Sequence, residues 1–394
     1  MNYSKLMPSF DNIDTWAKDN ITKEFLFNLI EAGIHPIHWV KQDIVQKMYD
    51  DYLLRACYSI DKKYYKINYG NVSFREFELY PFLYFCRGDV LTVDGDIIVA
   101  KAPNKFWNVN ENPLTQKDNI NWNKIKVFEK LDGIMILPFK DNNEWRLSSR
   151  GSFEYEGIQI ALQYFNDEYK GFCEILSKHN LYPCFELISK ESFIKVEYPD
   201  EKYGLYCFGC VDSTGEFHHN IEFVQNISER YNIKTPKQYS FNTFDEVYGF
   251  INGFDHYYDF EGVMVRTQYG SVKLKSDKYC EMNIQNLDNP KKLYDIWVDS
   301  QLDDVLPHIS AEMRNNILTI INKFKAIKTS LNEEYDKIYP KLENMNEIKE
   351  VVEYLNINCD KKLFHFFLNR YKNVSHLVEK SRKNLILNEV EKNG

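Results

Sequence analysis

The sequence predicts an α+β protein in which a region of antiparallel sheets is followed by a separate all-helical C-terminal domain. Three observations carry this. Up to about residue 60, apolar residues recur at helical spacing, in Phe25, Leu26, Leu29 and Ile30 and again in Val40, Ile44, Val45, Met48 and Leu53. From about Tyr64 to 280 the pattern changes to short apolar and aromatic runs bounded by turn signals. From about Leu287 a helical period returns in Ile309, Met313, Ile317, Ile320, Ile321, Phe324 and Ile327, with little Gly or Pro to interrupt it. The expected division is a helical extension over 1–60, a sheet domain over 61–284 and a helical domain over 285–394.

The elements follow in order. Pro36 separates two N-terminal helices. Val93-Asp94-Gly95-Asp96 signals a hairpin turn between Arg87–Leu91 and the return strand Ile97–Ala100, because Asp-Gly suits turns with positive φ. The loop from Ala102 to Pro113 holds Lys105, Phe106, Trp107 and four asparagines; its adjacent aromatics need burial, so the loop is expected to be pinned down. Strands are expected around Val127–Lys130, Ile134–Phe139, Trp145–Ser149, Pro183–Ile188, Gly204–Val211, Gly262–Arg266 and Ser271–Lys275. A helix is expected from about Ile158 to His179 and a shorter one over 243–253, with later helices over 345–357, 361–371 and 375–391.

Bulk properties exclude some functions. Of the 394 residues, 49 are Lys or Arg and 58 are Asp or Glu, a net charge of −9, which argues against coating nucleic acid through bulk electrostatics. The stretch Gln285–Gly394 is balanced, with 17 basic and 17 acidic residues, so the deficit lies upstream and any nucleic-acid contact must be local. There is no long apolar run of the kind that spans a membrane, and the N-terminus has no signal-peptide pattern. No membrane partner is expected, and the cytoplasm is the expected location, of a host cell if the protein is viral. Eight scattered cysteines fit a reducing compartment. Cys207 and Cys210 form a lone C-x-x-C without matching zinc ligands nearby, which reads as buried structural thiols.

Chemistry centres on Val127-Phe128-Glu129-Lys130-Leu131-Asp132-Gly133. The apolar flanks place Lys130 at a strand end, and Gly133 lets a ligand approach closely. Alone, K-x-D-G fits either a nucleophile or a surface lysine before a turn. In Val272-Lys273-Leu274-Lys275 the two-residue period sets both lysines on one face; either an anion is held there or the strand is an amphipathic surface strand. Glu186 stands inside the apolar run Phe185-Glu186-Leu187-Ile188, where it is either salt-bridged or holds a ribose hydroxyl or a metal-bound water. Glu261 heads the strand Gly262-Val263-Met264-Val265 in a similar way. Two strand-borne carboxylates near a nucleotide suit Mg²⁺, which prefers oxygen ligands and keeps several waters.

In this order and spacing the segments resemble the motifs of the covalent nucleotidyltransferase superfamily of ligases and capping enzymes. Within it the chain is most similar to the phage RNA ligase 1 type, the tRNA-repair RNA ligases, because Cys86-Arg87-Gly88 and Lys105-Phe106-Trp107-Asn108-Val109-Asn110-Glu111-Asn112-Pro113 resemble that family's N-terminal signature. The resemblance spans about residues 75 to 280. It implies a nucleotidyltransferase domain of ATP-grasp-like antiparallel sheets, with Lys130 attacking the α-phosphorus of ATP to give lysyl-AMP. Arg87 and Lys105 would hold the β- and γ-phosphates, and Lys273 and Lys275 the α-phosphate. Glu261 would anchor Mg²⁺ (or Mn²⁺) through water, Glu186 would bind ribose or assist the metal, and Gly133 would admit the nucleotide. Arg150 stands where the family often has lysine, a planar fork replacing a point charge. Trp107 replaces the family's usual phenylalanine as a packing or stacking residue.

The implied reaction joins 5′-phosphate and 3′-hydroxyl RNA ends through an RNA-adenylate. The implied partner is a broken tRNA anticodon loop, with a separate kinase/phosphatase to heal the ends and the ligase itself a monomer. Neighbouring cations, Lys273, Lys275 and the metal, would favour the amine form of the nucleophile. The alternatives are an inactive nucleotide- or RNA-binding module on the same fold, or a DNA ligase. A DNA ligase or capping enzyme usually carries an OB-fold barrel after the last motif, and the helical pattern after residue 287 disfavours both.

Overall fold

In the computed structural model the described residues are 10, 13–50, 53–70, 72, 74–94, 97–191, 194–267, 270–284, 287, 289–298, 302–306, 309–345, 347–372 and 375–392. The chain divides into two compact units, Met1–Met282 and Asn283–Gly394.

The first unit contains three four-stranded antiparallel sheets among its described residues. The first sheet is β1 (Leu54–Tyr58), β2 (Tyr64–Tyr69), β3 (Arg87–Thr92) and β4 (Ile98–Ala100), in that order. The strands that follow are β5 (Lys126–Lys130), β6 (Ile134–Asp141), β7 (Glu144–Ser149), β8 (Tyr182–Ile188), β9 (Gly204–Val211), β10 (Gln238–Tyr239), β11 (Gly262–Thr267) and β12 (Gly270–Lys275). They form two sheets, ordered β10-β5-β11-β12 and β7-β6-β8-β9.

The alternation read in the sequence explains how these sheets bury themselves. Val127 of β5, Val263 and Val265 of β11 and Val272 of β12 share one apolar cluster with Val247 and Ile251 of the helix Phe244–Ile251. Phe185 and Leu187 of β8 point into another cluster with Phe172 and Leu176 of the helix Asp167–Ser177. The polar positions between them, Lys130, Glu186, Lys273 and Lys275, are thereby left to the opposite faces.

Two expectations are corrected. Residues 54–58 continue no helix; they form β1, pairing antiparallel with Tyr65–Tyr69 of β2. The helical run ends with Gln42–Asp50, and Arg55-Ala56-Cys57-Tyr58 then alternates between half-buried and exposed as an edge strand does. The helix expected over 158–179 is two, Glu156–Tyr164 and Asp167–Ser177. Asn166 breaks it: its side chain accepts from the Tyr169 N–H at 3.3 Å and caps the second helix, with Asp167 and Glu168 in the first turn. The last helices run Ile348–Asn358, Phe364–Tyr371 and Ser375–Lys392. Of the expected hairpin turn after β3, Gly95 and Asp96 lie outside the described residues.

The N-terminal helices Lys23–Glu31 and Gln42–Asp50 flank a short turn that opens at Pro36. They belong to the first unit's packing, since Trp16, Leu26 and Ile30 share one cluster with Phe77, Phe82 and Phe85. The second unit, by itself, is helical throughout its described secondary structure. Its long helix Ala311–Leu342 is capped by Ser310 and buries Ile317, Ile321, Phe324 and Leu331 against Trp297, Leu355 and Phe366.

Candidate active site

Strand register builds the centre. Gly262 of β11 pairs with Lys130 of β5 on one side and with Lys275 of β12 on the other. Three adjacent strand ends thus bring two lysines to the residue that precedes Gly262. That residue is Glu261, 2% exposed. Lys130 Nζ donates to its Oε2 at 2.8 Å, and Lys275 Nζ lies 3.1 Å from its Oε1. Burial alone would raise this carboxyl; Lys130 and Lys275 outweigh burial and hold it below the ordinary range. The rung needs glycine at its middle. Gly262 has φ +154°, and a Cβ there would stand 2.2 Å from the Leu274 carbonyl oxygen.

Sequence reasoning placed Lys130 among cations. The structure instead gives it a carboxylate partner, so the amine is held in an ion pair whose acid lies 131 residues away.

Gly133 and Glu186 meet next to this centre. The Gly133 N–H donates to Glu186 Oε1 at 3.2 Å. A side chain at Gly133 would collide with the Leu187 carbonyl oxygen at 2.3 Å, so the close approach there is by β8 itself. Burial, opposed by Lys130 and reinforced by Glu261 and Asp132, pushes the Glu186 carboxyl up to about 7.

Asp132, quoted in the motif but given no role, is a hub. Its Oδ2 accepts from the N–H groups of Lys195 and Val196 at 2.8 and 2.9 Å, and its Oδ1 from the Tyr279 hydroxyl at 2.8 Å. Its own N–H donates to the Tyr198 oxygen at 2.9 Å. The Tyr279 ring also lies 4.5 Å from Lys195 Nζ and 5.0 Å from Lys275 Nζ. Tyr198 and Tyr279 went unread because their partners are more than 60 residues distant in sequence, with no local spacing to mark them.

The upstream signature forms a second cationic group. Arg87 opens β3, stacks over Phe106 at 4.7 Å and donates to the Pro103 carbonyl at 3.1 Å. Lys105 Nζ lies 3.9 Å above the Trp107 ring and 3.8 Å from Glu111 Oε1. Arg150 and Lys105 converge on the Tyr69 ring, at 5.2 and 5.8 Å. The two groups are stitched together through β12: the Lys273 N–H donates to the Trp107 carbonyl and the Val109 N–H to the Lys273 carbonyl, both at 2.9 Å. Strand β12 therefore joins the loop that carries Lys105, through the Lys273 backbone, to the Lys130–Glu261 centre, through Lys275.

Among the described residues no group of three or more His, Cys, Asp or Glu side chains forms a ready metal cage. Both Glu261 oxygens are already engaged by ammonium groups. The donor set fits a hydrated divalent ion better, since Glu186 is raised first by burial and further by Glu261 and Asp132, and a cation beside it relieves the repulsion among the three acids.

A lysine at a strand end thus lies on a buried carboxylate that also receives a lysine of the next strand. The profile of the RNA ligase family matches residues 85–279, a span that contains every residue of this site except Tyr69, and the chain belongs to that family, in its phage RNA ligase 1 type. A "Putative bifunctional polynucleotide kinase/RNA ligase" of Autographa californica nuclear polyhedrosis virus is 25% identical over 274 residues, 61% of this chain and 38% of the relative. A "Putative RNA ligase" of Thermovibrio ammonificans is 23% identical over 321 residues, 75% of this chain and 82% of that one. The chain thus spans under two fifths of the viral relative. Among solved structures, an archaeal ATP-dependent RNA ligase aligns over 82% of each chain at 13% identity with a TM-score of 0.48.

Proposed function

We propose that this protein is an ATP-dependent RNA ligase that joins 5′-phosphate and 3′-hydroxyl ends through lysyl-AMP and RNA-adenylate intermediates. The observation that carries the reading is the Lys130–Glu261–Lys275 rung, which presents one amine at the end of a rigid strand beside a second cation. In the first step the Lys130 ammonium leaves Glu261 and sheds a proton to solvent, and the free amine attacks the α-phosphorus of ATP, the nitrogen releasing a second proton to solvent as its new bond forms. A nitrogen–phosphorus bond forms, the bridging bond to the β-phosphate breaks, and pyrophosphate leaves with the electron pair. Lys273 and Lys275 neutralise charge at the α-phosphate; Arg87 and Lys105 hold the β- and γ-phosphates, with Arg150 beside Lys105 at the Tyr69 ring. Such transfer needs positioning and charge neutralisation more than further covalent help. Glu261 and Glu186 would hold a hydrated Mg²⁺ or Mn²⁺, which would supply additional neutralisation of phosphate charge. AMP then passes to the 5′-phosphate of one RNA end, and attack by the 3′-hydroxyl of the other expels AMP.

The natural substrate we propose is a broken tRNA anticodon loop, chosen with the help of the C-terminal helical unit and healed by a separate kinase/phosphatase. The pairing of kinase and ligase in the name of the viral relative supports a link between sealing and end-healing. We propose a monomer in a reducing cytoplasm (that of a host cell if viral), in keeping with eight free cysteines.

The test is covalent labelling with α-labelled ATP and a divalent metal. Wild type should form a labelled protein adduct that chelation prevents, and Lys130→Ala should form none; equal labelling of the two would end the nucleophile assignment. Sealing should succeed on a nicked anticodon stem-loop with 5′-phosphate and 3′-hydroxyl ends. Success on nicked DNA alone would replace the RNA reading with a DNA ligase.

A further inference from the structure

Lys105 sits in a loop with no secondary structure of its own, yet the loop is fixed at three points. At its start, the Ala102 N–H donates to Asp89 Oδ1 at 2.9 Å, and Lys101 Nζ pairs with Asp89 Oδ2 at 2.5 Å, both side chains fully buried. At its end, Trp107 is bonded to Lys273 of β12. The middle point is Asn104, and what holds it comes from more than 100 residues away.

Asn104 is 9% exposed and is gripped by the turn that follows β9. Its N–H donates to the Gly215 carbonyl at 3.0 Å; its side-chain amide donates to the Thr214 carbonyl at 2.8 Å and to Glu216 Oε1 at 3.0 Å. The turn is braced from within. Asp212 Oδ1 accepts from the N–H groups of Thr214 at 2.9 Å and Glu216 at 3.3 Å, as well as from the Thr214 hydroxyl. Gly215, at φ +81°, leaves room for the grip, since a Cβ there would stand 2.4 Å from Asn104 Oδ1. Phe217 extends the contact, its ring 6.4 Å from that of Phe106, which in turn carries the Arg87 guanidinium.

Pro103 and Lys105 flank the gripped residue. Pro103 offers the carbonyl that receives Arg87, and Lys105 carries the ammonium group. Both cations are set by one clamp.

We propose that Asn104, held by the Asp212–Phe217 turn, is a positioning residue for the pyrophosphate end of the site. It acts through Lys105 and Arg87, so it is required for protein adenylylation and dispensable for sealing. This rests on the reading that Lys105 and Arg87 hold the β- and γ-phosphates, groups that are gone once AMP has been transferred. Asparagine is demanded by donor count: its side-chain amide meets two acceptors, the Thr214 carbonyl and the Glu216 carboxylate, while its backbone N–H meets the third, the Gly215 carbonyl. A carboxylate in its place faces Glu216 and the Thr214 carbonyl with nothing to donate.

The experiment uses the full-length chain and compares two rates, adduct formation from α-labelled ATP and sealing of RNA already adenylylated at its 5′ end, together with thermal unfolding. Lys105→Ala is the reference. Asn104→Asp should slow adduct formation about tenfold or more, with a raised KM for ATP, and leave sealing of the adenylylated RNA within about twofold. Adding Glu216→Gln should recover part of the loss, because it restores an amide–carboxylate pair with donor and acceptor exchanged. Gly215→Ala supplies a second, independent way of opening the clamp, with the same split expected. If Lys105→Ala itself slows both reactions equally, the assignment of the phosphate end is wrong and the proposal falls with it. If Lys105→Ala separates the reactions while Asn104→Asp and Gly215→Ala slow both in step with a drop in melting temperature, or change neither, the clamp is overturned and the reading of Lys105 stands.

Discussion

Lys130 donates to Glu261 across 2.8 Å, and the same carboxylate receives Lys275 on its other oxygen. Glu261→Gln leaves two ammonium groups against a neutral amide. Breaking a buried pair in this way costs about 3–5 kcal/mol. Adduct formation should fall by about 100-fold or more, in line with the loss of a preorganised charge, and thermal unfolding should move to lower temperature. Wild-type labelling rates in this variant would show that the rung is only structural.

Gly262 makes the rung possible. Gly262→Ala places a methyl group 2.2 Å from the Leu274 carbonyl oxygen at a φ of +154°, where no flexible side chain can yield. Strain of this kind belongs with the most damaging substitutions, about 3 kcal/mol or more. The measurement is denaturant unfolding, and a variant as stable as wild type would contradict the register described for β5, β11 and β12.

Glu186 gives a prediction in pH. Its folded-state carboxyl is pushed up to about 7, by burial first and with Glu261 and Asp132 adding to it, from an unfolded value near 4.5. Raised in the folded state, it binds its proton more tightly there, so its contribution is full below pH about 4.5 and is lost as pH rises through about 7. Glu186→Gln should flatten the fall in stability across that window, read as melting temperature against pH. An unchanged profile would mean that the carboxyl titrates normally.

Asp89 and Lys101 are both fully buried, with His35 Nε2 3.8 Å from the same carboxylate. The His35 Nδ1 accepts the Ile37 N–H, so Nε2 carries the proton and donates to the Phe85 carbonyl at 2.9 Å, and the imidazole is neutral. Lys101 therefore has Asp89 as its charge partner. Asp89→Asn should destabilise the protein by about 3–5 kcal/mol, whereas Asp89→Asn with Lys101→Met should recover much of that loss, because the uncompensated charge goes too. Additive losses in the double variant would contradict the pairing.

What the sequence disclosed and what it hid follow one physical division. Lys273 and Lys275 were legible because alternation in a strand is local, and so were the strand places of Glu186 and Lys130. The contact between Lys130 and Glu261 was not, and without it the nucleophile was expected among like charges. Asp132 stood in plain sight, but its partners Lys195, Val196 and Tyr279 enter only through tertiary folding. Strand β1 was missed because a helical period through Leu53 ran on into it, and an edge strand with one buried residue, Leu54, offers little alternation to oppose that. Asn166 was a readable cap that lay inside an apolar run long enough to suggest one helix.

The spacing of the rung has a consequence for the growing chain. Lys130 is synthesised well before Glu261 and Lys275, and its first partners in the sheet, β10 and β11, begin only at Gln238 and Gly262. Until residue 261 has left the ribosome the lysine lacks its carboxylate, and until residue 275 has followed it lacks its neighbouring cation. A nascent or truncated chain ending before β12 therefore carries the whole K-x-D-G motif and Glu261 but not Lys275, and the rung is completed late, by long-range contacts.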